Sequence, residues 1–138
     1  MTQVGGFMDS LYAEEILDHY KHPHNFGQIE NPDIHIEANN PLCGDRLSMD
    51  VRVKDGVVED VRFSGRGCAI SQAAASMLTD RMIGEKLDDL ASTTRDDILD
   101  MLGVEVSYAR MKCATLSLGL LRQALAEAGV SLSEHLED

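Results

Sequence analysis

The sequence predicts a mixed fold in which one antiparallel β-hairpin is followed by several α-helices. Apolar residues alternate with polar ones over residues 47–53 and return over residues 57–63. Asp55-Gly56 stands between the two runs and is typical of a two-residue type I′ turn. Two later stretches, residues 68–83 and 107–128, repeat apolar residues with the spacing of a helix.

The elements before the hairpin are shorter. Residues 1–7 carry no pattern, and we expect them to be disordered. A helix is predicted from Asp9 or Ser10 to about Tyr20, where a Lys-His-Pro sequence ends it. A short strand is predicted at Ile34 to Glu37, before a strong turn signal.

The elements after the hairpin are helical. The helix over residues 68–83 is expected to end at Gly84, and shorter segments follow at Leu87 to Leu90 and Asp96 to Leu102. The last helix is predicted to run unbroken from Ser107 to about Ala128. It is apolar on two sides, so neighbouring elements should cover it.

Composition limits the possible functions. The 138 residues suffice for one domain, residues 1–138, with its own core. The formal charge of −12 argues against nucleic acid as the main partner. The chain lacks an apolar run of about 18 residues and a signal-peptide pattern, so we expect a cytoplasmic protein with no membrane partner. Cysteines stay reduced in the cytoplasm, and this chain has three of them, an odd number. Both points favour metal or sulfur chemistry over disulfides.

The stretch from Ser64 to Ser71 places Cys68 at the start of a predicted helix. Unpaired N–H groups and the helix dipole favour a thiolate there. Gly65 and Gly67 let a ligand or another chain come close, and Arg66 adds a cation. The alternative for this stretch alone is a glycine-rich turn with an incidental cysteine.

Two further segments supply donor atoms. Cys43 and Asp45 flank a glycine, and the hairpin should bring them close to Cys68. Cys113 near the start of the last helix is the third thiol, although a buried core thiol is an alternative for it. Together, Cys43, Asp45, Cys68 and Cys113 offer three thiolates and one carboxylate, a set suited to Zn²⁺ or iron.

The sequences around these cysteines resemble the IscU/SufU/NifU N-terminal family of iron–sulfur cluster assembly proteins. The resemblance extends from Tyr12 to Ala126 and rests on these motifs: Asp18-His19-Tyr20, Pro23-His24-Asn25-Phe26-Gly27, Asn40-Pro41-Leu42-Cys43-Gly44-Asp45, Gly67-Cys68-Ala69-Ile70-Ser71 and Arg110-Met111-Lys112-Cys113-Ala114. It implies an α+β fold (SufE/NifU-like), with a three-stranded antiparallel sheet, helices on one side and the metal site at one exposed end.

The resemblance also implies a function. A family scaffold accepts sulfur from a cysteine desulfurase, builds a transient [2Fe-2S] cluster and transfers it to acceptor proteins. Cys43, Asp45, Cys68 and Cys113 would hold the cluster, with Asp45 as the exchangeable ligand. Zinc is the expected occupant of protein handled in air, because it binds thiolates without redox chemistry.

Departures from the family pattern leave a second hypothesis open. IscU-type members have a His before the third cysteine and a Leu-Pro-Pro-Val-Lys segment, whereas this chain has Lys112 and the unrelated residues 105–109. Arg110-x-Lys112-Cys113 resembles SufU, yet the insertion usual in SufU is missing from residues 69–112. The alternative function is therefore a zinc-dependent sulfurtransferase that takes persulfide sulfur and stimulates a desulfurase. In both hypotheses Cys113 is the candidate sulfur acceptor, and the cations of Arg110 and Lys112 favour its thiolate form.

Two other interpretations carry less weight. His19, His22 and His24 could form a metal cluster, but histidines at a helix end usually meet water or carbonyl groups. The four donors could also form a structural zinc module. Exposed ligands that have glycine neighbours argue against such a closed structural site.

Overall fold

The computed structural model describes residues 14–40 and 44–130. In chain order the elements are α1 (residues 14–21), β1 (Ile34–Asn40), β2 (Asp45–Lys54), β3 (Val57–Arg66), α2 (Ala69–Met82), α3 (Leu87–Leu90), α4 (Arg95–Leu102), a 3-10 turn (Tyr108–Arg110), α5 (Met111–Ala114) and α6 (Leu116–Glu127). The predicted start of the first helix and the predicted disorder of residues 1–7 lie outside the described residues. The first helix ends as predicted, before Pro23.

The three strands form one antiparallel sheet in the order β1-β2-β3. The β2–β3 hairpin turns at Asp55 and Gly56, both with positive φ as a type I′ turn requires (55° and 77°). Strand β1 is longer than predicted, because its pairing with β2 continues to Asn40 opposite Asp45. The hairpin prediction is confirmed, and so is the antiparallel three-stranded sheet.

One face of the sheet carries the core. Leu47, Met49 and Val51 alternate along β2 and are buried, together with Val61 and Phe63 of β3. Helices α2 and α6 pack on the sheet. This arrangement confirms the α+β class. In the described part of the chain, none of the helices combines the length and apolar character needed to cross a bilayer.

The outer edge of β3 is covered by two separate segments. Near its middle, Phe63 N–H donates to Asn25 C=O at 2.9 Å, and Gly27 N–H donates to Phe63 C=O at 2.8 Å. Near its start, Val58 N–H donates to Glu85 C=O at 2.9 Å, and Gly84 N–H donates to Val58 C=O at 2.8 Å. These bonds hold two connections against the edge of the sheet: the one between α1 and β1, and the one between α2 and α3.

The prediction of one unbroken helix from Ser107 to Ala128 is wrong. The chain forms a 3-10 turn and the four-residue α5, then breaks at Thr115 (φ −100°, ψ 6°) before α6 begins. The Thr115 hydroxyl donates to Met111 C=O at 3.0 Å. A threonine that bonds back to the preceding turn weakens the helical ladder, which explains the break. The end of the helix at Gly129 (φ 81°) agrees with the prediction.

Candidate metal centre

Three separate elements meet at one end of the sheet. Asp45 begins β2, Cys68 precedes α2, and Cys113 lies in α5. One carboxylate oxygen and the two Sγ atoms all lie within 4.8 Å of one another. Pairing of Arg46 with Arg66 brings the start of β2 beside the end of β3, as the hairpin predicts. Three of the four predicted donors are therefore together.

The Asp45 carboxylate faces the helical side of the sheet, because Asp45 alternates in phase with Leu47 and Met49. Asp45 is only 4 % exposed. Its Oδ1 accepts a hydrogen bond from Cys68 N–H at 3.2 Å. Its Oδ2 is buried and has no hydrogen-bond donor among the described residues. A buried carboxylate oxygen without a donor is costly, so it marks a place for a cation.

Cys68 occupies the N-cap position of α2 in an extended conformation (φ −72°, ψ 172°) and is half-buried. Its C=O accepts a hydrogen bond from the Ser71 hydroxyl at 3.1 Å. The thiol thus stands at the first turn of a 14-residue helix, where the dipole favours a negative charge. It is the more accessible of the two described thiols.

Cys113 is 1 % exposed. Burial agrees with the core-thiol alternative, yet the Sγ atom also lies beside the donor atoms of Asp45 and Cys68. Because the helix breaks at Thr115, Cys113 belongs to a short segment with a 3-10 turn before it and a break after it. A segment of four residues can shift more easily than the middle of a long helix.

Cys43 lies outside the described residues. Among the described residues on either side of it, Asn40 pairs with Asp45, and Gly44 N–H donates to Asn40 C=O at 2.8 Å. Gly44 has a positive φ of 75°, a conformation that suits glycine.

Four exposed cations lie in the segments that carry the donor residues. Arg46 and Arg66 lie directly opposite each other on β2 and β3, and both are exposed. Arg110 directly precedes α5 and Lys112 lies within it, and both are exposed too. Within the described residues, none of the four forms an ion pair, whereas Arg62 pairs with Asp60 at 2.7 Å. In a chain of charge −12, exposed cations thus occur in the same segments as the donor residues, although Arg46 and Arg66 alternate out of phase with Asp45 and lie on the other face of the sheet.

The donor set fits a thiophilic metal. Sulfur ligands suit Zn²⁺ and iron–sulfur clusters, and both accept a carboxylate as an additional ligand. The oxygen of Asp45 that lacks a donor gives structural support for this fit. Of the described residues, these three alone form such a group of ligand atoms.

The histidines near α1 have structural contacts instead. His19 Nδ1 contacts Ser76 Oγ at 2.7 Å, and the same oxygen accepts from His24 N–H at 2.8 Å. His24 Nδ1 contacts Asp80 Oδ2 at 2.5 Å. His19 and His24 therefore attach α1 and the following loop to α2. The metal-cluster alternative finds no support among the described residues, which include all three histidines.

Sequence reasoning did not show how Gly67 and Ser71 shape the site. Ser71 is fully buried, and a Cβ atom added at Gly67 would overlap the Ser71 hydroxyl and lie 3.3 Å from the Asp45 Cγ atom. The glycine was identified only as a place where a ligand could approach. Its contact with the Asp45 carboxyl group depends on the packing between β2 and α2, which leaves no pattern in the sequence.

This fold and site define the class of protein. The NifU-like N-terminal domain family matches residues 11–129, so the chain belongs to that family.

Individual relatives carry two kinds of name. The zinc-dependent sulfurtransferase SufU of Bacillus subtilis is 37 % identical, with 87 % of this chain and 92 % of SufU covered. An iron–sulfur cluster assembly scaffold protein IscU of Archaeoglobus fulgidus is 33 % identical, with 85 % of this chain and 76 % of the relative covered. A solved structure, described as a candidate scaffold for the SUF system of Fervidobacterium islandicum, has a TM-score of 0.75 at 26 % identity, with coverage of 84 % and 97 %.

Proposed function

We propose that this protein is an iron–sulfur cluster assembly scaffold. It accepts sulfur from a cysteine desulfurase, assembles a transient [2Fe-2S] cluster on Cys43, Asp45, Cys68 and Cys113, and transfers the cluster to acceptor proteins. The observation that carries this proposal is the Asp45 carboxylate: its Oδ2 is buried without a described donor, and one of its oxygens lies within 4.8 Å of the Sγ atoms of Cys68 and Cys113. A single oxygen ligand among thiolates is the bond most easily exchanged on iron, as a site that must give up its cluster requires.

The sulfur step needs an accessible thiolate. A thiolate of this chain attacks the outer sulfur of the donor's persulfide, the new S–S bond forms as the old one breaks, and the donor sulfur leaves as a thiolate. Cys113 is the proposed acceptor, with Arg110 and Lys112 close to it in sequence. Because Cys113 is 1 % exposed, α5 must move to admit the donor.

The charge of two exposed arginines indicates where partner proteins would bind. Exposed Arg46 and Arg66 lie opposite each other without an acidic partner among the described residues. Like charges in such positions repel, and an acidic protein surface would relieve the repulsion. We propose that the desulfurase and the acceptors dock at this end, and that the protein works in the cytoplasm, where thiols remain reduced.

A second candidate function is a zinc-dependent sulfurtransferase that takes sulfur from a desulfurase and stimulates it. Two observations favour it: the 37 % identity to the SufU relative and the sequence Arg110-x-Lys112-Cys113. In this role a bound zinc ion would keep the thiols reduced and unreactive until a donor arrives.

One experiment distinguishes the two functions. Purified protein is incubated without oxygen with Fe²⁺, cysteine, a reductant and a cysteine desulfurase. Visible absorption bands of a cluster, followed by their transfer to an apo-ferredoxin, would support the scaffold. Persulfide on protein that retains zinc, with faster desulfurase turnover and no cluster, would support the sulfurtransferase and contradict the scaffold.

A further inference from the structure

Gly67 lies between the strand that provides Asp45 and the helix that follows Cys68. A Cβ atom at this position would overlap the Ser71 hydroxyl and lie 3.3 Å from the Asp45 Cγ atom. The backbone at Gly67 does not have a positive φ that would require glycine. The restriction is therefore one of space, imposed by two side chains of the site.

Ser71 fixes one side of this space. It is fully buried, and its hydroxyl donates to Cys68 C=O at 3.1 Å. The hydroxyl is therefore held over Gly67 by a bond within the first turn of α2. Moving it aside would break that bond in a buried place, which has a cost.

Asp45 forms the other side. Its Oδ1 is engaged by Cys68 N–H at 3.2 Å, and its Cγ packs close to Gly67. Only Oδ2 is left without a described donor. The carboxylate can offer this second oxygen to a metal, whereas bidentate binding would require Oδ1 to leave the amide.

We propose that Gly67, together with Ser71, is a positioning residue that holds Asp45 as a ligand through one oxygen and thereby sets how fast the site releases its metal. The inference rests on the proposed function in one respect, because it takes the site to hold a metal. It concerns residues that donate no ligand atom themselves.

The test is zinc release from Gly67→Ala. Zinc-loaded parent and variant are mixed with an excess of a chromogenic chelator, and the rate of zinc transfer is followed by absorbance. The added methyl group displaces the Ser71 hydroxyl and crowds Asp45, so release should be faster by roughly tenfold, as when a group that orients a metal ligand is lost. Gly119→Ala is the matched control, since a Cβ there meets nothing within 4 Å, and it should release zinc at the parent's rate.

A double variant separates positioning from general loosening of the fold. If Gly67 acts through the Asp45 carboxylate, adding Gly67→Ala to Asp45→Ala should leave zinc release unchanged from that of Asp45→Ala alone. An equal acceleration in both backgrounds would overturn the proposal. Thermal unfolding of each variant without metal, monitored by circular dichroism, verifies that folded protein is compared.

A second variant covers the case in which Gly67→Ala does not fold. Gly67→Ala combined with Ser71→Ala removes the overlapping hydroxyl and keeps the 3.3 Å contact with Asp45. Release at the parent's rate from this protein would overturn the inference and leave the proposed function intact. A parent protein that takes up no zinc would overturn the proposed site, and this inference with it.

Discussion

Asp45 and Cys68 are joined directly: the backbone N–H of Cys68 donates to Asp45 Oδ1 at 3.2 Å. The bond ties the first residue of β2 to the N-cap of α2, so two proposed ligands keep their separation without a metal. It also leaves Oδ2 as the available oxygen. The strength of the Asp45 ligand is therefore the property on which the scaffold proposal depends.

Asp45→Ala should separate cluster assembly from cluster release. Three thiolates remain, so we expect a cluster to form, but transfer to an apo-ferredoxin should slow because the exchangeable ligand is gone. In the sulfurtransferase alternative the same change would loosen zinc and reduce stimulation of the desulfurase. Cluster lifetime and transfer rate, followed by absorbance, provide the measurement.

The control for this change is Asp50→Ala. Asp50 is also buried on β2, but it accepts from Ile29 N–H at 3.0 Å and contacts His35, away from the site. Its loss should lower the melting temperature without altering transfer. If Asp45→Ala transfers its cluster at the parent's rate, Asp45 is not the release ligand.

Cys113 should carry the first persulfide. Mass spectrometry after brief desulfurase turnover should find the added sulfur mainly on the peptide that contains Cys113, although Cys68 is more exposed in the resting structure. The expectation requires α5 to move, so Cys113 in protein without metal should also react with iodoacetamide more slowly than Cys68. Persulfide on Cys68 alone, or equally on all three cysteines, would rule out this assignment.

Arg110→Ala should slow sulfur transfer several-fold while leaving the melting temperature unchanged. Arg110 is exposed and forms no ion pair among the described residues, so little folding energy depends on it. A guanidinium near the thiolates would offset their charge and attract an acidic donor, and its effect should shrink at high salt. Arg95→Ala, another exposed arginine at the start of α4, is the control. Equal rates for both variants would make Arg110 a bystander.

Two glycines should respond in opposite ways to alanine. A Cβ at Gly65 would overlap Arg46 C=O, and its φ of 127° is strained for alanine, so Gly65→Ala should destabilise the fold by about 2 kcal/mol or more. Gly119 lies inside α6 with open space, so Gly119→Ala should stabilise by about 0.5–1 kcal/mol. Chemical denaturation measures both, and a tolerated Gly65→Ala would contradict the packing between β2 and β3.

His35 should make stability depend on pH. Hydrogen bonds to Asp50, and then to Glu37, raise the pKa of His35 above 6.5 in the folded state. The stabilisation is therefore complete below pH 6.5 and is lost as the pH rises through the higher folded pKa. His35→Gln should lower the unfolding midpoint in urea at pH 6 more than at pH 9. An equal loss at both values would show that the imidazole's charge contributes nothing.

Local patterns predicted the parts of this fold that depend on local chemistry. Asp55-Gly56 located the hairpin, since this pair readily takes the two positive φ angles of a type I′ turn, which joins antiparallel strands by two residues. Thr115 did not reveal the break before α6, because a threonine can either continue a helix or bond back to the preceding turn, and tertiary packing decides between them.

For the site, too, the sequence predicted what local patterns determine and missed what tertiary packing determines. The hairpin implied that Asp45 would approach Cys68, and the structure brings them together with Cys113. The bond from Cys68 N–H and the packing of Gly67 depend on atomic positions that spacing does not encode. The role of Ser76, which fastens both His19 and His24, was equally invisible because its partners are more than 50 residues away in sequence.

The cover over the outer edge of β3 bears on how this protein resists fibril formation. A bare strand edge can recruit a strand from another copy and so begin a growing stack of chains. In the described sheet, Asn25, Gly27 and residues 84–85 already occupy backbone groups along that edge of β3. On β1, the other edge strand of the described sheet, the exposed His35 and Glu37 place ionisable side chains beside an incoming chain. The pairing sites that a growing fibril needs are thus partly occupied on β3 and lie beside ionisable side chains on β1.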